Sequence, residues 1–316
     1  MWNLKKQGIG YASIFYGTGY GNGFPDESRA TVSLCEDGII QVFVEVTDVG
    51  SGGYSIMLQI AQETLPVTKE SIVIKNGNTD YMKDSGTAAA SRQTYNTGNA
   101  VLDGCKKLIN NIKKIINLNN DTELSRDDLK EVYSKMLLSN IETKVEGYFK
   151  ATTSQVNLEN GQGDPYWPYT FGVQKAIVEV DDETGKVDVI DLVTINEAGT
   201  IVNPVLAEGQ AIGGCAMGIG YALMEEVEVT NGNIKNKNFS DYIIPTSKDI
   251  PKITSIFVED LEESGPYGAK GLGEPVMLAT APAILNAIYD AIKVRLYELP
   301  ATPDKVIAAI VKNKIR

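Results

Sequence analysis

In the stretch Gly268-Ala-Lys-Gly-Leu-Gly-Glu-Pro275 one carboxylate, Glu274, stands behind two glycines and directly before an apolar run. Gly271 and Gly273 allow positive φ and close approach of backbone to a ligand, and Pro275 suits the first position of a helix expected over 275–294. A carboxylate at such a junction lies near the positive end of the helix dipole, which favours its ionised form, while burial against apolar walls acts the other way. That placement suits a general base. It equally suits an acid that merely caps the helix, and the spacing alone leaves both readings open.

The chain contains no histidine, and its three cysteines, Cys35, Cys105 and Cys215, show no Cys-x-x-Cys spacing. Ser-His-Asp and Cys-His catalysis are thereby excluded, zinc and iron–sulfur sites are disfavoured, and the thiols read as buried structural groups. Carboxylates, lysines and tyrosines remain as acid/base groups.

Three further segments could form a pocket with Glu274. The small-residue run Ser85-Gly-Thr-Ala-Ala-Ala-Ser-Arg-Gln-Thr94 offers amides and hydroxyls to an anion, with Arg92 available for a phosphate. The run Gly209-Gln-Ala-Ile-Gly-Gly-Cys-Ala-Met-Gly-Ile-Gly220 puts many glycines inside a helical pattern, which points to close approach of a ligand or of another helix. The run Phe15-Tyr-Gly-Thr-Gly-Tyr-Gly-Asn-Gly23 has neither the Gly-Lys-Ser/Thr ending of a P-loop nor the strand and helix context of a Rossmann fingerprint.

The elements that must position these groups are legible in outline. Ala30–Leu34 and Ile39–Val46 read as strands joined at Glu36-Asp-Gly38. Asp48-Val-Gly-Ser-Gly-Gly53 leads into a helix over 55–65, expected to open on a serine cap. Ser71–Lys75 reads as a strand, 98–118 as an amphipathic helix, and Ser125 with Asp128 as a capping box. Strands near Phe171–Val180 and Lys186–Ile195 flank the turn 181–185, and Asn203-Pro204 opens a long helix toward Glu226. The polar loop Thr152–Tyr169 is the expected boundary between two halves, 1–160 and 161–316.

With 316 residues, 43% of them hydrophobic, the chain can bury one large core or two moderate ones. Its 41 acidic against 29 basic residues give a net charge of −12, which argues against nucleic acid or an anionic membrane as partner. No run of 18 or more consecutive apolar residues appears, and the amino terminus lacks the apolar stretch of a signal peptide, so a cytoplasmic location is expected.

Taken together, Gly-Leu-Gly-Glu-Pro at 271–275, Ala-Ala-Ala-Ser-Arg-Gln-Thr-Tyr at 88–95 and Gly-Ile-Gly-Tyr-Ala-Leu-Met-Glu-Glu at 218–226 resemble the carboxy-terminal half of the molybdopterin-binding subunit of the xanthine dehydrogenase/aldehyde oxidase family of molybdenum hydroxylases. The resemblance spans nearly the whole chain. It implies an α+β fold of two intertwined mixed α/β domains, the second carrying the catalytic glutamate. It also implies a molybdopterin cofactor, in its cytosine dinucleotide form, whose dithiolene rather than the protein holds molybdenum.

By that resemblance Glu274 corresponds to the base that deprotonates a molybdenum-bound hydroxyl for attack on an electrophilic ring carbon. Ala89, Ala90, Ser91, Arg92 and Gln93 match the segment that contacts the cofactor. Gly50, Ser51 and Gly52 occupy the position of a Gly-Gln-Gly contact in which Ser51 replaces glutamine. Gly218, Gly271 and Gly273 are the remaining expected cofactor contacts, with Met217 standing where many members carry glutamine. Tyr11 and Tyr16 fall in the segment that lines the substrate funnel.

The family's first half contributes part of the cofactor pocket. The resemblance therefore implies a split enzyme like the one built around the medium molybdopterin subunit of nicotinate dehydrogenase, or like a clostridial xanthine or purine hydroxylase. A second molybdopterin subunit, an iron–sulfur subunit and an FAD subunit are then the expected partners, and a small heterocycle the substrate. A non-catalytic scaffold subunit and an unrelated hydrolase using Glu274 are the alternatives.

Overall fold

Alternating apolar and polar residues build two four-stranded sheets, and helices with one apolar stripe cover one face of each. The computed structural model describes residues 5–21, 24, 26–118 and 123–314. Met1–Leu4 of the amino-terminal segment, and Asn22 and Gly23 of the aromatic and glycine run, lie outside the described residues. In chain order the first half contributes β1 (Lys5–Gly17), β2 (Glu27–Leu34), β3 (Ile40–Phe43), α1 (Gly53–Thr64), β4 (Ile72–Lys75), α2 (Gly98–Ile112), α3 (Arg126–Leu138) and β5 (Lys144–Lys150). The second contributes β6 (Tyr169–Asp181), β7 (Val187–Glu197), α4 (Pro204–Leu223), the short hairpin β8 (Val229–Thr230) and β9 (Asn233–Ile234), β10 (Lys252–Val258), α5 (Pro275–Leu278), α6 (Thr280–Ile292) and α7 (Pro303–Lys314).

One sheet has the order β4-β3-β2-β5. Its inward residues, among them Val32, Leu34, Ile40 and Val42, pack with Met57 and Ile60 of α1, Leu108 and Ile112 of α2 and Leu129 of α3. Each such fully buried Leu, Ile or Met side chain contributes roughly 1.5–3 kcal/mol of transfer free energy. The β2–β3 hairpin forms as expected, with Thr31 opposite Phe43. The capping box is present: Ser125 Oγ accepts from the Asp128 amide while the Asp128 side chain accepts from the Ser125 amide. The serine cap of α1 is not. Gly52, at φ 77°, stands at the N-cap without a side-chain bond, because the helix starts before Ser55, at Gly53.

The other sheet has the order β1-β6-β7-β10. A division at residue 160 separates the two sheets except at β1, which pairs antiparallel with β6 from Lys5 opposite Asp181 to Gly17 opposite Tyr169. Gly8 and Gly10 make this possible, because a Cβ at either would stand 2.1 Å from a carbonyl oxygen of Ala287 or Ala283 on α6. The strand at Gly8 and Gly10 and the helix at Ala283 and Ala287 therefore pack flush.

A single helix over 275–294 is replaced by α5 and α6, broken at Ala279. Pro282 supplies the reason: it has no N–H for the Leu278 carbonyl, and its ring clashes with that group. Pro275–Ile292 is long and apolar enough to cross a membrane by length and composition, yet half of it is buried. Ile284, Ala287 and Ile288 form a core with Cys215 and Ile219 of α4.

Candidate active site

Two loops from different halves meet at Glu274. The first runs through 85–97 and ends in a π-helical turn, Gln93–Thr97, that leads into α2. In it Ala90 and Ser91 both take left-handed conformations, at φ 56° and 52°. Two consecutive non-glycine residues there are strained and persist only where their surroundings fix them. The surroundings do so: the Gly19 amide donates to the Ala90 carbonyl at 2.9 Å. A Cβ on Gly271 would stand 1.8 Å from the Ser91 carbonyl oxygen, so only glycine lets the second loop lie against the first.

Across that contact Ser91 Oγ accepts the Glu274 amide at 2.9 Å and donates to Glu274 Oε2. The Tyr16 hydroxyl donates to the same oxygen at 3.3 Å. Burial, the largest influence, together with the neighbouring Glu274 charge pushes Tyr16 up to about 12 against the opposing effect of Ser91, so it stays a donor. Glu274 makes no side-chain cap bond to the helix behind it, which sets aside the helix-cap reading. Among the described residues Oε1 accepts no hydrogen bond. One carboxylate oxygen is held by two hydroxyls, and its twin is left for another partner.

Glu274 lines a cleft of about 680 Å3 between the loops and the first turns of α4. Gly50, Ser51, Ala89, Ser91, Gln93 and Gly273 line it as well. Gly50, at φ 104°, has nothing within 4 Å of the place a Cβ would take, so the turn presents an open cradle. Burial disfavours ionised Asp48, but the amides of Gly52 and Gly50 outweigh it and hold its carboxyl below the usual range, which fixes that turn.

Several expected contacts fall elsewhere. The Arg92 backbone borders the cleft, but its guanidinium is 1% exposed and turned inward, so the expected phosphate contact does not form. It is consumed by Asp26 Oδ1 at 2.5 Å, the carbonyls of Ser85 and Glu27 at 2.9 and 2.7 Å, and Ser28 Oγ at 3.0 Å. Gly218 packs against α6, where a Cβ would meet the Thr280 Cβ at 2.4 Å; helix packing explains it. Gly52 caps α1, with Leu206 against it, and Gly271 backs Ser91 rather than facing the cleft. Tyr11 cannot reach the site: five residues from Tyr16 on one strand, it projects from the opposite face and is exposed.

Two buried groups beside Glu274 carry no expectation from the sequence. Lys270 lines the cleft, and its Nζ donates to Glu197 Oε2 at 3.0 Å and to the Tyr169 carbonyl at 3.1 Å. Gln174 donates to the Val276 carbonyl at 2.6 Å and accepts from Thr280 Oγ1 at 2.5 Å, which ties down the turn just past Glu274. The signals were there: a lysine among the motif glycines, and one glutamine at an inward position of an alternating strand.

The model for the molybdopterin cofactor-binding domain matches residues 2–251. Aldehyde oxidoreductase of Megalodesulfovibrio gigas is 33% identical over 96% of this chain and 32% of its own length. The xanthine dehydrogenase molybdenum-binding subunit of Escherichia coli is 31% identical over 96% of this chain and 42% of its own. The crystal structure of aldehyde oxidoreductase from Desulfovibrio desulfuricans superposes with a TM-score of 0.86 at 32% identity, covering 97% of this chain and 32% of that one. The chain thus spans less than half the length of these relatives. An open glycine cradle, strained amides and a half-anchored carboxylate around one cleft fit that domain, and the chain belongs to the xanthine dehydrogenase/aldehyde oxidase family of molybdopterin-binding proteins.

Proposed function

We propose that this chain is the molybdopterin-binding catalytic component of a multi-subunit molybdenum hydroxylase, which hydroxylates an N-heterocycle of the purine, xanthine or nicotinate type with oxygen from water. The observation that carries the proposal is Glu274, with Oε2 fixed by Ser91 and Tyr16 and Oε1 unengaged beside the cleft. Molybdenum on molybdopterin supplies two-electron redox chemistry when bound. Glu274 takes up the proton released by the attacking oxygen nucleophile, a task that needs no histidine.

The backbone at Gly50, Ser51, Ala89, Ser91 and Gln93 lines the cleft and would hold the cofactor, whereas Ala90, expected as a contact, does not line it and, with Arg92 and Gly271, would keep those segments in place. In this reading the cofactor's dithiolene, rather than a side chain of this protein, would hold the metal. The cytosine dinucleotide form, a second molybdopterin subunit, iron–sulfur and FAD subunits and a cytoplasmic location belong to the same reading. The substrate class is supported by a relative named for xanthine.

The test is purification of the tagged chain from its native host, with elemental analysis and mass spectrometry of what accompanies it. Molybdenum in near-stoichiometric amount, with flavin and iron–sulfur chains, is the expected result. A metal-free solitary chain contradicts the proposal.

A further inference from the structure

We propose that Lys270 is a positioning residue, which fixes the strand end carrying Tyr16 against the turn carrying Glu274 so that the Tyr16 hydroxyl reaches Oε2; this rests on the function proposed above for Glu274. One ammonium joins three segments. Lys270 is buried, with 7% of its surface exposed. Its Nζ donates at 3.0 Å to Oε2 of Glu197, the last residue of β7, and at 3.1 Å to the carbonyl of Tyr169, the first residue of β6. The Lys270 amide donates to the Ala198 carbonyl at 3.0 Å, and the preceding residue, Ala269, bridges to Gly199. Glu197 is fixed in turn, because its Oε1 accepts the Gly199 amide at 2.6 Å.

The strand register carries these ties to Tyr16. Tyr169 stands opposite Gly17, and Thr170 stands opposite Tyr16. Lys270 therefore holds β6 one residue from the partner of Tyr16, and its own loop leads directly to Glu274. The Tyr16 hydroxyl meets Oε2 at 3.3 Å, near the limit of a hydrogen bond, so a small displacement breaks it. The Ser91 contact has separate support. Gly271 lies against the Ser91 carbonyl, and Ser91 Oγ accepts the Glu274 amide. Loss of Lys270 thus releases Tyr16 from Glu274 and leaves Ser91 in place.

Stability gives no comparable reason to bury this pair. Desolvation of an ammonium and a carboxylate can offset their attraction, and apolar residues of similar volume often hold a core as well or better. An apolar side chain, however, has no directed bond to offer the Tyr169 carbonyl. The ammonium has one place, between its two acceptors.

The experiment is a double-mutant cycle between Lys270 and Tyr16 in the purified complex, with crystal structures of the variants as a readout that needs no turnover. K270M should lower kcat about tenfold, as Y16F does, with KM and molybdenum content unchanged. K270M/Y16F should stay within about twofold of K270M, whereas independent roles would multiply to about a hundredfold and overturn the proposal. S91A should lose as much in the K270M background as in wild type; if that loss also disappears, Lys270 merely stiffens the whole site and the proposal falls. Crystals of K270M should show the Tyr16 hydroxyl out of hydrogen-bond reach of Glu274, and an unmoved Tyr16 overturns the positioning role. K270M/E197Q leaves no unpaired buried charge and keeps an oxygen for the Gly199 amide, so it takes the place of K270M where that variant does not fold. Failure of both to fold marks a purely structural clamp and contradicts the proposal. Glu274→Gln reports separately on the proposed function: retained turnover there, with Tyr16 displaced in K270M, overturns the function alone, and a thousandfold loss there with Tyr16 unmoved in K270M overturns only the positioning role.

Discussion

The two loops that meet at Ser91 and Glu274 are each anchored by a buried ion pair, and the pairs differ in what they leave free. Arg92 is fully enclosed, and Asp26 also receives the Asn96 side chain at 2.7 Å and the Tyr20 amide at 3.1 Å. Lys270 has two acceptors and borders the cleft. The first loop is thus a fixed wall, whereas the second keeps its charged anchor next to the reacting space. A charge conspicuous in a motif can serve the wall rather than the ligand, and Arg92 does so.

The contrast breaks most sharply at Asp26. D26A leaves the buried guanidinium uncompensated and should cost about 3–5 kcal/mol of unfolding free energy, read from a denaturant titration. E197Q is expected to cost less, about 1–3 kcal/mol, because Lys270 can turn a donor toward water in the cleft. Equal losses would show that the second loop is as closed as the first. Y16F removes one donor to Oε2 and should lower turnover by about tenfold, or 1.4 kcal/mol, with molybdenum content unchanged.

A separate effect is alkaline. Burial pushes Cys105 up to about 12 and Cys215 up to about 11, and Tyr16 is also raised. A raised native pKa favours the protonated folded state, so stability is fully present below the ordinary thiol value of 9.0 and declines as pH rises from there through about 12. Thermal melts across that range check the sign, and a thiol reagent at neutral pH should leave Cys105 and Cys215 unlabelled.

Local signals carried the elements they belong to. The Ser125 capping box, the 36–38 hairpin and the Asn203 cap of α4, whose side chain accepts from the Leu206 amide at 3.0 Å, all form. The break at Ala279 was also legible in Pro282, but the apolar run around it masked that signal. What sequence spacing could not supply was the other side of each contact. Asp26 lies 66 residues from Arg92, and Ser91 lies 183 from Glu274. The pairing of β1 with β6 spans a similar distance, and without it nothing separates Tyr11 from Tyr16. Once the strand is known, their odd spacing puts them on opposite faces. Glu274 itself was legible because its glycines and proline constrain the backbone locally.

The central claim is that Glu274 acts as the base in a cofactor-filled cleft, and Glu274→Gln in the purified complex tests it most directly. Near-isosteric exchange keeps the volume and removes the proton acceptor. The account predicts unchanged molybdenum content and partner composition with turnover reduced by about a thousandfold or more, the upper part of the range for loss of an acid–base group. Turnover within a few-fold of wild type, in a complex of normal metal content, contradicts the account and assigns the chain a scaffolding role.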